Sequence, residues 1–469
     1  MGELTYLSAI SMAEHIRLKK LSPVELVEAH LARIEKLNPK LNAFVQIDTD
    51  GARRQARSAE TAVMRGEKLG PLHGVPVSIK SSIAVRGFRH EVGTKLRDGL
   101  VAEADATLVE RLRSAGAIVL GITNTPEFLM AWETDNRLYG RTNNPWDLST
   151  TAGGSSGGEA AAIASGCSAG GVGSDGGGSI RVPAHFSGIC GLKPTPGRIP
   201  STGHFPTSVG PFALLGVVGP MARTVDDLKV LFEVMQGWDD GDTSAAPVPV
   251  CWPEDAKKLR VGYFEHDGRT PVTVETRSAV QQAADLLRKG GLTVERFLPD
   301  GLEQAQRLWW QFFGVAGAML LGPMTEKCQD DLSPLLREFQ RWTQAETPHT
   351  AQTLLDTWIL RDVLRMQIFE QMRDYSVLLC PVAAVPAFCH GERTWLVDGQ
   401  TVRYLDAWSY CEWFNLLGMP AAVVPVGQSP KGLPIGVQIV ARPWEEEIVL
   451  TVAAELERHR GPWKKPPID

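Results

Sequence analysis

Three polar residues that could cooperate in catalysis stand in or beside glycine-rich stretches. Lys80 ends a short alternating segment, Ser155 lies within residues 153–158, and Ser179 lies within residues 174–181. A run of glycines lets several backbone N–H groups point into one cavity and bind a developing oxyanion. The four candidate donors are Gly176, Gly177, Gly178 and Ser179. A serine at the end of such a turn can attack a carbonyl carbon, provided that another group accepts its proton.

Other interpretations compete for the first glycine–serine run. Ser155 or Ser156 could simply cap the helix that follows it. Residues 153–157 also match the G-x-S-x-G nucleophile elbow, but that motif needs an apolar strand directly before it, and residues 145–152 are largely polar. A phosphate-binding loop is excluded because no Gly-Lys-Ser/Thr follows. The run by itself therefore leaves helix capping and catalysis open.

The surrounding pattern predicts the elements that must position these residues. Alternation over residues 74–80 predicts a strand that carries Lys80, and Asp105 is expected to cap a helix that ends at Ala115 before a strand over 117–121. A helix followed by a strand favours an α/β fold with a parallel or mixed sheet. Further helices are predicted at 22–37, 160–164, 274–289, 302–375 and 445–458, strands at 259–264, 292–295, 377–379, 421–426 and 435–440, and a tail at 461–469.

Composition narrows the class of protein. The chain has 469 residues, 48 Lys and Arg against 54 Asp and Glu, and a net charge of -6, which argues against a nucleic-acid partner. It has neither an apolar run long enough to span a membrane nor an export signal, so we expect a cytoplasmic location. Its seven scattered cysteines fit reduced thiols. No metal-binding motif such as HExxH is present, so neither a metal nor a cofactor is implied.

Together with several flanking motifs, these residues resemble the amidase signature family over nearly the whole chain. Ser155 and Ser179 are 24 residues apart, as in the central block of that family, and the second serine stands in Gly-Gly-Ser-Ile-Arg. The other matching segments are Gly-Ile-Cys-Gly-Leu-Lys-Pro-Thr at 188–195, Thr-Asn-Thr-Pro-Glu at 123–127, Asn-Asn-Pro-Trp at 143–146, Gly-Met-Pro-Ala at 418–421 and Leu-Pro-Ile-Gly-Val-Gln at 433–438.

The resemblance implies a fold and a set of roles. It implies one amidase domain over residues 1–469, with a central mixed β-sheet covered by helices on both faces, a catalytic core at about 70–200 and a variable, substrate-selecting region at about 300–415. Ser179 is the expected nucleophile, Ser155 the bridging serine after a cis peptide bond, and Lys80 the base. A lysine can serve as a base near neutral pH only if burial lowers its pKa.

Some residues depart from the family pattern or lie near the block without an expected chemical role. Ser81 stands where many members have aspartate, and Gly176 where threonine or an aliphatic residue is more common. These changes put the support of the base and the shape of the oxyanion loop in question. Asp175 and Arg181 are expected to form a structural ion pair. The two nearby histidines, His185 and His204, are expected to be packed or solvated.

The substrate is expected to be a small amide or carbamate. Leu129, Met130 and Trp132 belong to an apolar segment that borders the substrate channel in relatives, and seven tryptophans lie between 309 and 413. Aromatic and methionine-rich walls favour a hydrophobic or aryl ligand. The favoured function is hydrolysis of hydrophobic or aryl amides through an acyl-enzyme. The alternatives are a urethanase, the A subunit of a tRNA-dependent amidotransferase and a non-catalytic binding protein, and a homodimer is left open.

Overall fold

A computed structural model describes residues 3–468 of the chain. The strands are β1 Phe44–Ile47, β2 Pro76–Lys80, β3 Ile118–Thr123, β4 Asn143–Asn144, β5 Asp147–Thr151, β6 Gly170–Asp175, β7 Cys190–Lys193, β8 Val217–Ala222, β9 Arg260–Tyr263, β10 Thr293–Arg296, β11 Val377–Pro381, β12 Thr394–Val397, β13 Gln400–Arg403, β14 Ala421–Gln428 and β15 Pro434–Val440. The helices are α1 Ala9–Arg17, α2 Pro23–Leu41, α3 Thr49–Arg65, α4 Thr107–Ser114, α5 Gly157–Ala164, α6 Arg181–Ser187, α7 Pro211–Leu215, α8 Val225–Met235, α9 Val274–Lys289, α10 Leu302–Trp310, α11 Gly317–Thr325, α12 Pro334–Gln344, α13 Ala351–Gln371, α14 Ser409–Leu416 and α15 Glu446–Arg460.

Eleven of these strands form one sheet in the order β1-β3-β2-β6-β8-β7-β14-β15-β11-β9-β10. β3, β2 and β6 run parallel, as do β11, β9 and β10, while the central strands from β6 to β11 pair antiparallel. The expected mixed sheet of an α/β fold is therefore confirmed. The remaining strands form two small hairpins, β4-β5 and β12-β13.

Both faces of the sheet are covered by helices. Because successive side chains of a strand point to opposite faces, β14 and β15 divide their residues between two cores. Ala422, Val424 and Ile439 pack into the core that α8, α9 and α15 cover. Val423 and Val440 pack into the other, which includes α6, α10 and α14. The near-continuous apolar runs of these strands follow from this two-sided burial.

Local sequence signals placed most elements correctly. α9 has the predicted bounds, and α2 begins after Ser22, whose side chain accepts from the N–H groups of Val24 and Glu25. The prediction that Asp105 caps a helix is wrong. Its carboxylate accepts from the Arg86 N–H instead, and α4 begins one residue after Ala106.

The expected tail at 461–469 has no helix or strand over its described residues and is largely exposed, but the fold holds it at two points. The indole N–H of Trp463 donates to the Gly188 carbonyl at 2.7 Å, and Ile468 is buried. Asp469 lies outside the described residues. Among the helices that the structure describes, none is both long and apolar enough to cross a membrane.

Candidate active site

Parallel strands bring Lys80 and the glycine loop to one edge of the sheet. Lys80 is the last residue of β2, and Asp175 is the last residue of its parallel neighbour β6. The loop 176–180 follows β6 directly and leads into α6 at Arg181. Open α/β sheets bind ligands at the carboxyl ends of their strands, and this edge is such a position.

Lys80 is fully buried among serine hydroxyls. Its Nζ lies 2.7 Å from Ser155 Oγ, 2.9 Å from Ser156 Oγ and 3.0 Å from Ser174 Oγ. Burial lowers the pKa of Lys80 well below its ordinary value, and the charges of Asp175 and Glu159 offset only part of this effect. A neutral amine has a lone pair, so Nζ can accept the proton of the Ser155 hydroxyl.

The first glycine–serine run contributes its side chains to the site rather than to a helix cap. The peptide bond between Gly154 and Ser155 is cis, as the resemblance implied. Ser156 occupies the N-cap position of α5 but makes no side-chain capping bond. Its Oγ instead contacts Lys80 and accepts from the Ser174 N–H at 3.3 Å. The strand that precedes this run, β5, belongs to a small hairpin, which is not the context of a hydrolase nucleophile elbow.

Asp175 organises the second glycine run. Its carboxylate accepts backbone N–H bonds from Gly178 at 2.7 Å and from Ile180 at 3.0 Å. The φ angle of Gly178 is +115°, and a Cβ there would approach Cys411 Cβ at 2.9 Å, so glycine is required at this position. Because the Gly178 N–H donates to Asp175, it is not free to bind an oxyanion. Among the described residues, no partner is found for the N–H groups of Gly176, Gly177 and Ser179, so three of the four expected donors are free.

Asp175 and Arg181 form the predicted ion pair, and it is completely buried. Arg181 Nη2 lies 3.0 Å from Asp175 Oδ1, and Nε lies 3.0 Å from Oδ2. Burial by itself would raise the pKa of Asp175, but the Arg181 guanidinium holds it well below the ordinary value. The remaining guanidinium contacts go to the side-chain oxygens of Gln438 and Asn415. The loop is thus fixed to β15 and α14.

Removing the guanidinium should destabilise the whole chain. Arg181→Met leaves the Asp175 carboxylate buried without its cation, which costs about 3–5 kcal/mol in comparable sites. We expect a loss of that size in the free energy of unfolding measured by urea denaturation, or no accumulation of folded protein. Arg403→Met is the control, because Arg403 is exposed and its pair with the partly buried Asp406 should contribute no more than about 1 kcal/mol. Equal stability of the two variants would contradict this role for Arg181.

A largely apolar cavity opens at Ser155 and Ser179. Its apolar wall consists of Phe128, Leu129, Met130, Pro206, Phe212, Val217 and Phe313, and its polar wall includes Ser174, Asp175 and His204. Phe128 and Leu129 have φ angles of +51° and +69°, which residues other than glycine rarely adopt. Backbone strain of this kind concentrates at functional sites. Leu129 and Met130 line this cavity, and their contact with the substrate stays a prediction.

Trp132 does not line this cavity, contrary to the prediction. It is 4% exposed, and its ring stacks on Trp408 with the ring centroids 5.7 Å apart. Trp309 lies against the same Trp132 ring, with centroids 6.0 Å apart, and Trp408 and Trp413 are buried in the same apolar core. Although Trp309 and Trp413 border a second, separate cavity, none of these three lines the cavity at Ser179. Of the region 300–415, Phe313 is the residue that reaches the cavity within the part of the chain that the structure describes. The rest of the apolar wall comes from residues 128–130 and 206–217.

His204 is a cavity residue, which the sequence did not indicate. Its Nδ1 lies 2.9 Å from the Pro206 carbonyl oxygen. A carbonyl only accepts, so Nδ1 carries the proton and Nε2 presents a lone pair. Burial lowers the pKa of His204 to about 3, so the ring is neutral at pH 7. Nε2 is buried and finds no hydrogen-bond partner in residues 3–468. His185, in contrast, is packed as expected, and its Nδ1 accepts from the Gly436 N–H.

Known proteins share this fold and sequence pattern. The model of a family described as Amidase matches residues 25–450. The chain is 35% identical to an acylamidase from Rhodococcus erythropolis, with 99% of this chain and 98% of the relative covered. It is 34% identical to the A subunit of the glutamyl-tRNA(Gln) amidotransferase of Anaeromyxobacter sp. (strain K), with 99% and 98% covered. A solved bacterial aryl acylamidase of the amidase signature enzymes superposes with a TM-score of 0.86 at 28% identity, covering 98% of this chain and 97% of that one.

Proposed function

The chain belongs to the amidase family and is a hydrolase of amides, and from that premise we propose that it cleaves hydrophobic or aryl amides through Ser179, Ser155 and Lys80. The observation that carries this proposal is a buried lysine with a lowered pKa, 2.7 Å from a serine that opens into the same cavity as Ser179.

The relay begins at the deprotonated Lys80. Its Nζ accepts the proton of the Ser155 hydroxyl, Ser155 accepts the proton of Ser179, and Ser179 Oγ attacks the carbonyl carbon. The tetrahedral oxyanion is held by the free N–H groups of the loop. The proton returns through Ser155 to the leaving amine, the C–N bond breaks, and an acyl-enzyme remains on Ser179. Water then gives its proton through Ser155 to Lys80 and its oxygen attacks the acyl carbon. The bond from that carbon to Ser179 Oγ breaks, Ser179 recovers a proton through Ser155, and the acid is released.

The cavity wall supports a hydrophobic acyl or aryl group. Phenyl rings from Phe128, Phe212 and Phe313 surround the serines. The neutral Nε2 of His204 is an acceptor, so it suits a substrate that carries an N–H next to the reacting carbonyl. Both a secondary amide and a carbamate have such an N–H. Hydrolysis of a carbamate by the same three residues, a urethanase activity, is therefore the second candidate function.

The A subunit of an amidotransferase is a candidate of another class, supported by the 34% identity to such a protein. Glutamine as a substrate has a charged ammonium and a carboxylate, and each needs a polar partner. The single charged side chain on the described cavity wall is Asp175, and Arg181 already pairs with it. The wall therefore supports an apolar substrate over glutamine.

A substrate panel tests the proposal. The purified chain is incubated with matched aryl and alkyl p-nitroanilides, O-aryl carbamates and L-glutamine. We expect p-nitroaniline release from the apolar anilides, and release of ammonia from glutamine at no more than about one hundredth of that kcat/KM, because one misplaced buried charge costs several kcal/mol. Faster turnover of the carbamates would favour a urethanase. Ammonia release as the main activity would overturn the proposal in favour of the amidotransferase function.

A further inference from the structure

The three consecutive glycines of the oxyanion loop have no side chains to hold them. Glycine has the greatest backbone freedom of any residue, so each N–H group at 176–178 needs some other restraint before it can point steadily at one place. A peptide unit is planar and, here, trans, so its C=O and N–H point in opposite directions. An anchored carbonyl therefore fixes the direction of the next residue's N–H.

Each backbone carbonyl from Asp175 to Gly178 accepts a hydrogen bond from another part of the chain. The Asp175 carbonyl accepts from Asn415 Nδ2 at 3.2 Å, and the Gly178 carbonyl accepts from the Val182 N–H at 2.7 Å. The two carbonyls between them accept from indole N–H groups. Trp309 Nε1 donates to Gly176 at 2.7 Å, and Trp132 Nε1 donates to Gly177 at 2.8 Å.

The two indoles direct different amides. The bond from Trp132 orients the peptide whose N–H is donated by Gly178, and that N–H meets Asp175. The bond from Trp309 orients the peptide whose N–H is donated by Gly177, and this N–H has no other partner among the described residues. Trp309 thus determines where a free oxyanion donor points.

The helix that carries Trp309 is shaped to reach the loop. α10 ends at Trp310 and continues as a π-helix over Gln311–Ala316, a distortion that is frequent at functional sites. Trp309 and Phe313 stack with their ring centroids 4.6 Å apart. A Cβ on Gly177 would lie 2.4 Å from Trp309 Cζ2, and one on Gly176 would lie 2.9 Å from Phe313 Cε2. The two rings leave no space between themselves and the loop.

We infer that Trp309 is a positioning residue of the reaction, whose indole N–H holds the Gly176 carbonyl and so aims the Gly177 N–H at the oxyanion of the tetrahedral intermediate. The inference rests on the proposed function. It places a determinant of the oxyanion site in the region 300–415, outside the glycine–serine block. Trp309 touches neither serine through a hydrogen bond, so its effect must pass through the loop.

Trp309→Phe is compared with Trp408→Phe to test this. Trp408 is buried in the same aromatic cluster, but its Nε1 has no partner in the described chain, so its replacement removes similar atoms without a bond to the loop. Loss of a direct oxyanion donor lowers kcat about 10²–10³-fold, and we expect about a 10-fold or larger loss for a donor that is misdirected. KM for the anilide should change less than about threefold, since the planar carbonyl depends little on this donor.

A trifluoromethyl ketone provides a second measurement. A serine oxygen adds to its carbonyl carbon and forms a tetrahedral oxyanion. The inhibition constant of the ketone should therefore rise in Trp309→Phe by the same factor by which kcat/KM falls. Trp408→Phe should stay within about threefold of the wild type on both measurements. If Trp309→Phe does not fold, 3-benzothienylalanine at position 309 replaces the indole N–H by sulfur with nearly the same shape and should give the same losses.

The results distinguish a failure of the proposed function from a failure of the positioning role of Trp309. If the wild type neither turns over the panel nor binds the ketone covalently, the proposed function fails, and this inference fails with it. If the wild type is active while the Trp309 variants match Trp408→Phe in kcat and in ketone affinity, only the positioning role is overturned. A rise in KM at unchanged kcat would also overturn it, because that result assigns Trp309 to substrate binding.

Discussion

Ser179→Ala should lower kcat at least about 10³-fold and abolish the acyl adduct on the protein. Loss of a nucleophile in a hydrolase leaves only the acceleration due to binding and the oxyanion donors. Ser179 lies on the cavity, next to the loop whose Gly176 and Gly177 N–H groups are free. Intact-protein mass spectrometry after incubation with a slowly deacylated ester or carbamate should show one acyl group on the wild type and none on the variant.

Two serine controls make that result specific. Ser278 is exposed on α9, so Ser278→Ala should retain both turnover and the adduct. Ser155→Ala removes the hydroxyl that contacts Lys80 and should also slow turnover, but any residual adduct should map to Ser179 by peptide sequencing. An adduct that persists in Ser179→Ala, or that maps to Ser155 in the wild type, would assign the nucleophile elsewhere.

Lys80→Met should lower kcat about 10²–10⁴-fold, the range for loss of a general base. The methionine side chain has a similar length, so the buried space stays filled, but it accepts no proton. In the wild type kcat/KM should rise with pH as Lys80 loses its proton through its lowered pKa. The residual activity of the variant should lack that rise. An unchanged pH profile in Lys80→Met would show that another group titrates.

The same substitution should change how stability depends on pH. A lysine that is neutral when folded and charged when unfolded makes the unfolded state bind the extra proton. The free energy of unfolding then rises by about 1.4 kcal/mol per pH unit between the lowered pKa of Lys80 and about 10.4, the unfolded value. Lys80→Met should remove that increment in urea titrations at several pH values in this window. An identical slope in the variant would mean that Lys80 is charged in the folded chain.

Lys193 provides a matched control for both measurements. It is the other fully buried lysine of the described chain, and burial lowers its pKa to about 7. Its Nζ donates to the Pro194 carbonyl at 2.9 Å and contacts no serine of the site. Lys193→Met should therefore remove a similar increment of stability above pH 7, while the rise of kcat/KM with pH is retained.

Much of this arrangement could be predicted from the sequence, because the responsible signals are local. The alternation before Lys80 predicted β2, the apolar spacing at 274–289 predicted α9 with its bounds, and serine before proline predicted the start of α2. The ion pair of Asp175 with Arg181 was also expected. In each case the determining interactions lie within a few residues along the chain, or within one motif.

Other features depended on contacts between distant segments. Asp105 precedes a helix, as a cap would, but the backbone N–H of Arg86 donates to its carboxylate instead. Gly178 stands among four similar donors, and only the folded loop shows that Asp175 already binds its N–H. The part of the wall that comes from residues 206–217 was not predicted, because no local rule places that segment beside Ser179.

The contacts of the aromatic residues were the feature that the sequence predicted least well. The composition of residues 128–132 and 309–413 indicated a binding wall, and Leu129 and Met130 do face the cavity. Trp132 and Trp309 lie behind the loop, where their indole N–H groups meet two backbone carbonyls. An indole is both a large apolar surface and a single donor, and its sequence context does not tell which property will be used. The sequence by itself determined which residues could do the chemistry. The tertiary structure alone decided which residues hold them in place, because hydrogen bonds between segments far apart in the chain form only once the sheet and helices have packed.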